Sequence, residues 1–166
     1  MFAGNESKEV LQGKAPTDPM AHNWIGAVLS NLKSVDLDEQ TLRKIIKTAS
    51  SAHYNQLNME ETLKPYRGKL NDFIAYIEKE WGWTCNYEEN GNVLQANENK
   101  PYCVCPLIDQ SKKEHYPALC FCSEGFAEQM FSTVCGHNVQ ATVISSIQRN
   151  DKRCIYRIDL NPPNSI

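Results

Sequence analysis

The chain has 166 residues, 41% of them apolar, which is enough for one domain to bury a core without disulfide staples. Seventeen basic residues against 20 acidic ones give a net charge of -3, and the basic residues are scattered, which excludes a nucleic-acid footprint. No run approaches the roughly 18 apolar residues of a membrane span, and the first residues lack the basic and apolar regions of a secretory signal. The chain is therefore expected in the cytoplasm, with neither nucleic acid nor membrane as a partner.

Residues 1–18 contain Gly4, Gly13 and Pro16 without an apolar period and read as a loose arm, leaving residues 19–166 as a single α+β domain. Asp18 and Pro19 open a first helix, on which Trp24, Ile25, Val28, Leu29 and Leu32 recur at helical spacing. A second helix is expected to start at Asp36, with Glu39 three positions on, and to carry Leu42, Ile45, Ile46 and Ala49 as far as His53. Met59 to Leu63 form a short third helix before Pro65. The spacing of Leu70, Phe73, Ile74, Ile77 and Trp81 predicts a fourth, stopped by Gly82.

Beyond Gly82 the period changes to two. Trp83 to Tyr87 and Val93 to Ala96 read as strands joined at Asn90-Gly91. Tyr102 to Cys105 and Ala118 to Cys122 are expected as a third and a fourth strand, separated by a charged loop. Ser123 then starts a helix of about twelve residues that ends at Gly136. The alternation of Val139, Ala141, Val143, Ser145 and Ile147, then of Cys154, Tyr156, Ile158 and Leu160, predicts a closing hairpin. The expected architecture is α+β: amino-terminal helices packed on an antiparallel sheet of about five or six strands, with one helix inserted before the carboxyl-terminal hairpin.

In a reducing cytosol the seven cysteines read as thiols, metal ligands or a nucleophile. Cys103 and Cys105, and again Cys120 and Cys122, would each share one face of a strand. If those strands pair, four thiols meet on one face, a donor set that suits zinc or an iron-sulfur cluster. Strand rise holds the two sulfurs of each pair about 6–7 Å apart, so a tetrahedral site needs a local bend, and plain packing of buried thiols is the competing reading. A third reading makes Cys122 a nucleophile, its thiolate favoured at the start of the Ser123 helix. Its base would be His115, in the loop between the pairs, or Glu124 close by in sequence. Trp24, Phe73, Trp81, Phe126 and Phe131 fall on apolar stripes that make core more readily than the lining of a ligand pocket.

The segment CFCSEGFAEQMFSTVCGHNVQATVISSIQRNDKRCIYRIDL, residues 120–160, resembles the carboxyl-terminal part of 4-vinyl-reductase-type hydrocarbon-binding domains and of L-2-amino-thiazoline-4-carboxylic acid hydrolase-like proteins. The turn and strand from Asn150 to Ile158 are the nearest part. CVCP followed by CFCSEGF also looks like an uncharacterised bacterial family. The resemblance implies the ligand-binding fold shared with nitric-oxide-signalling and Golgi-transport domains, a small-molecule ligand and a homodimer. Zinc-bearing sensory relatives place a glutamate and a further cysteine before the final one; Val143 to Ser146 lack both, so that only Cys154 carries over.

Three functions are therefore expected, in this order: a sensory module that binds a small molecule or a metal, a cysteine-dependent hydrolase of the thiazoline-carboxylate type, and a structural zinc or iron-sulfur protein with an interaction role. Any cofactor beyond such a metal is not expected.

Overall fold

The computed structural model describes residues 19–32, 34–108 and 115–162. The expected arm, residues 1–18, lies outside the described residues, as do Asp18 and the middle of the charged loop. Helix α1 spans Pro19–Leu32, α2 Glu39–Gln56, α3 Met59–Leu63 and α4 Leu70–Trp81. The second helix starts at Asp38 instead of Asp36, because the Asp38 carboxylate accepts from the Thr41 amide at 2.9 Å and the Thr41 hydroxyl at 2.6 Å. The fourth ends where glycine stops it: Gly82 has φ 71°, and its amide donates back to the Glu78 carbonyl at 3.1 Å.

Strands β1 (Thr84–Glu88) and β2 (Val93–Asn97) form the expected hairpin, with Glu89, Asn90 and Gly91 all at positive φ in the turn. The last helix, α5, spans Cys120–Cys135; β3 (Gln140–Ser145) and β4 (Ile155–Asp159) close the chain. The sheet is antiparallel throughout, in the order β1-β2-β4-β3. Its register aligns Leu94, Ile158 and Ala141 in one row and Ala96, Tyr156 and Val143 in the next. These residues are buried under the helices, whereas Gln95, Arg157 and Thr142 in the intervening row are not. One face of the sheet is thus core and the other is polar.

The α+β class and the helix inserted before the final hairpin match the expectation, and among the described residues the sheet has four strands where five or six were expected. Neither C-x-C segment is a strand. Residues 103–105 are irregular between Pro101 and Pro106, and proline cannot donate to a ladder. Residues 120–122 are the first turn of α5, entered through a 3-10 turn at Pro117–Leu119. The helix is buried almost all round at its start, from Cys120 to Ala127 with only Ser123 partly exposed, and the apolar run from Ala118 to Cys122 that leads into it carries no period. Such a run does not separate a buried helix from a buried strand.

Helix α5 is held between α2 and the sheet edge. Gly125 allows the approach to α2, since a Cβ placed there would lie 2.6 Å from the Lys47 carbonyl oxygen and collide with the Ser50 hydroxyl. On the other side, Glu124, Glu128 and Ser132 recur every four residues, and their oxygens accept from the amides of Val143 (2.9 Å), Ala141 (3.0 Å) and Val139 (3.0 Å). Four helix residues advance about 6.0 Å and two strand residues about 6.8 Å, so a helix stepping by four keeps pace with alternate amides of an edge strand. Lys47 reaches Glu128 at 2.5 Å, and Arg43 and Lys47 lie 3.6 and 3.9 Å from Glu124. At the opposite edge of the sheet the Glu78 carboxylate accepts from the Cys85 amide at 2.9 Å.

Glu124 is fully buried, and burial raises its carboxyl above the ordinary value against the lowering pull of the Val143 amide, Arg43 and Lys47. Replacing Glu124 by alanine strands a buried amide and removes a partner of two cations. The expected loss is about 3 kcal/mol of unfolding free energy, against about 1 kcal/mol for Glu124→Gln, which keeps the acceptor; urea denaturation of the three proteins measures both.

Candidate functional site

Between α5, the end of α4, the core face of the sheet and the irregular stretch from Glu98 to Pro106 lies a cavity of about 340 Å³. Val143, Tyr156 and Cys154 form its sheet wall, and Leu119, Cys120, Cys122, Ser123, Phe126 and Ala127 its α5 wall. Trp81, Gly82 and Trp83 close it from the end of α4, and His53 enters from α2. Trp83 stacks nearly parallel on Tyr156 with ring centroids 5.8 Å apart, and Trp81 meets Trp83 edge-on at 5.7 Å. The remaining aromatic expectations divide. Phe73 and Phe131 are fully buried core, Trp81 and Phe126 line the cavity, and Trp24 is 66% exposed.

All four C-x-C thiols line this cavity, and Cys154 is a fifth. They reach it by a route the alternation of strand side chains does not describe. Two residues apart on a helix, Cys120 and Cys122 point in different directions. Cys120 joins the apolar cluster of Phe126, Met130 and Cys154, while Cys122 joins that of Cys103, Leu29 and Ile108. The cavity sits where the two clusters meet. The thiols surround this space without converging: among the described residues no group of three or more histidine, cysteine, aspartate or glutamate side chains is placed to hold a metal ion.

The thiols are electrostatically quiet. Burial pushes Cys103 and Cys122 up to about 11 and Cys105 and Cys154 well above the usual thiol range, with neighbouring thiols adding to the effect. Cys120 is also raised by burial, although the Ser146 hydroxyl lies 3.0 Å from its sulfur. The preceding 3-10 turn extends the helical path back to Pro117, so Cys122 does not sit at an open helix start. Neither proposed base joins it at the cavity wall: His115 is exposed, and Glu124 faces β3.

One buried polar group of the cavity is Glu98, in the turn after β2. It is only 6% exposed, its amide donates to the Cys154 carbonyl at 3.0 Å, and its Oε1 accepts from the Tyr156 hydroxyl at 2.6 Å. Its Oε2 is buried without a hydrogen-bond partner, and so is Nε2 of His53, whose ring stacks on Phe126 at 4.6 Å. Burial raises the Glu98 carboxyl from 4.5 to about 7, opposed by the Tyr156 hydroxyl and Lys100, and lowers the His53 imidazole from 6.5 to about 4. Glu98 carries no sequence signal, being one polar residue in a polar turn. Tyr156 does: alternation puts it on the core face, where its hydroxyl needs a buried partner.

The sequence profile of a family described as "Family of unknown function (DUF6144)" matches residues 4–165. No curated protein matches the chain. Among solved structures it is similar to the crystal structure of a trafficking protein particle complex subunit 3 from Naegleria fowleri covalently bound to palmitic acid. The TM-score is 0.56 at 12% identity, over 86% of this chain and 93% of that one, a likeness of fold. Among the described residues no helix is long and apolar enough to cross a membrane.

Two outcomes are expected. At neutral pH the cavity thiols react with iodoacetamide more slowly than free cysteine and reach its rate only in denaturant, as peptide mapping of the alkylated sites would register. The buried acid and base also tilt stability in opposite directions. The raised Glu98 carboxyl adds stability below its ordinary value of 4.5 that is lost as pH climbs through 7, whereas the lowered His53 imidazole adds stability above 6.5 that is lost as pH falls through 4. Each effect is on the order of 2–3 kcal/mol, and they oppose one another between pH 4.5 and 6.5. In Glu98→Gln the urea midpoint should rise from pH 4 to 6.5, and in His53→Phe it should fall from pH 4.5 to 7.

Proposed function

The chain belongs to the DUF6144 family, whose description assigns no activity, and we propose from its cavity that it is a binding module that encloses a small, largely apolar molecule. The observation that carries this reading is the cavity itself. It is of ligand size and walled by Trp81, Trp83, Phe126, Leu119 and Val143, with His53, Glu98, Lys100 and Gln148 among the polar groups that also line it, a make-up that suits a small molecule with an apolar body. The palmitic acid on the structural neighbour supports it, since that chain has the same fold and holds an acyl chain. The hydrocarbon-binding resemblance of residues 120–160 points the same way.

Catalysis by Cys122 is the weaker reading. A thiol held near 11 offers little thiolate at neutral pH, and neither His115 nor Glu124 stands beside it at the cavity wall.

Decan-1-ol serves as an uncharged probe. It should bind the full chain with a change in tryptophan fluorescence, because Trp81 and Trp83 form part of the wall. Val104→Trp, on the irregular stretch that lines the cavity, should fill the space and weaken binding by at least about tenfold with an unchanged far-ultraviolet circular dichroism spectrum. Saturable binding that is equal in both proteins would place the ligand elsewhere.

A further inference from the structure

The cavity is not uniformly apolar, and its one buried carboxyl group says something about the ligand's head. Glu98 Oε1 is committed to the Tyr156 hydroxyl at 2.6 Å, while Oε2, equally buried, has no hydrogen-bond partner. A buried acceptor without a donor is costly, on the order of 1–3 kcal/mol and more when the group is ionised. The side chains that share the wall do not remedy this. The Cys154 thiol approaches the carboxyl as a weak donor without closing a hydrogen bond to Oε2, and Cys103 and Cys120, which sense Glu98 electrostatically, are neutral thiols as well. Lys100 also lines the cavity and draws the Glu98 carboxyl downward, yet it forms no ion pair with it within 4 Å; its Nζ lies instead against Gly82, 2.9 Å from where a Cβ would stand.

A second feature lies beside the first. Tyr156, which holds Oε1, is stacked under Trp83, and Trp81 stands edge-on to Trp83, so the carboxyl adjoins a group of aromatic rings. Aromatic faces attract cations and repel anions by their quadrupoles, most strongly where water is excluded. A buried carboxylate with one open oxygen suits an ammonium group, and any ring face left uncovered by the stack of Trp83 on Tyr156 adds to its hold. It does not suit the carboxylate of a free fatty acid, which would set like charges together in a buried site.

Resting on the reading of this cavity as a ligand site, we propose that the ligand is an organic amine whose ammonium group is held by Glu98 Oε2 beside the Trp83 and Tyr156 rings, with its apolar body running along Trp81, Phe126 and Leu119. The charge-assisted hydrogen bond to Glu98 supplies selectivity, and the apolar wall supplies most of the affinity.

Three probes of equal chain length separate head group from tail: decylamine, decanoic acid and decan-1-ol, titrated into the full chain at pH 8 and followed by calorimetry and tryptophan fluorescence. Decylamine should bind at least about tenfold more tightly than decanoic acid, with the alcohol between them. In Glu98→Gln the amine should lose about tenfold or more, while the alcohol stays within about twofold. A wild-type protein that binds the acid as tightly as the amine overturns the proposal, and so does a folded Glu98→Gln protein that keeps its preference for the amine. The wild-type comparison needs no variant to fold. Should none of the three probes bind, the reading of the cavity as a ligand site falls and this inference with it; binding of all three with equal affinity removes the amine alone.

Discussion

Three oxygen atoms on one face of α5 hold the molecule together. Glu124, Glu128 and Ser132 take the amides of Val143, Ala141 and Val139, so that the helix lies along the edge of the sheet and is tied to it by hydrogen bonds as well as by packing. This works only if charge is balanced on the far side of the helix, where Arg43 and Lys47 of α2 supply it. It also requires the two helices to be close, and Gly125 allows that. Removing any one layer leaves a buried polar group in the next without its partner.

The cavity follows from that arrangement. Fixed to β3 and α2 along two of its sides, α5 turns a further side, marked by Cys120, Ser123, Phe126 and Ala127, toward the end of α4 and the stretch from Glu98 to Pro106. That stretch has no strand partner and two prolines, so it cannot close down on the helix as a ladder would. Space is left between a rigid wall and an irregular one, the usual circumstance in which folds accept a ligand.

Local signals made much of the fold legible. Leu70 to Trp81 with Gly82 behind it, Met59 to Leu63 before Pro65, and the Asn90-Gly91 turn each carry a period and a stop, and the structure has each of them as the sequence reads. The C-x-C pairs were legible as a location and misread as elements. Continuous apolar runs lack a period, and the alternation assumed for Cys120 and Cys122 belongs to strands. Glu98 was invisible because its importance comes from burial by residues more than fifty positions away, Cys154 and Tyr156, which no window on the sequence includes. The order β1-β2-β4-β3 was out of reach for the same reason.

The ladder on α5 has one more effect, on how this protein meets copies of itself. An exposed strand edge is a template on which another chain can add a strand. At β3 the outward amides of Val139, Ala141 and Val143 are already engaged by α5, and the register slips between Val143 and Ser145, which bends that edge further. At β1, among the described residues, the Cys85 amide is engaged by Glu78. Among the described residues the two sides of the sheet are therefore unequal templates: a strand arriving from another molecule finds β3 occupied and β1 the less engaged edge.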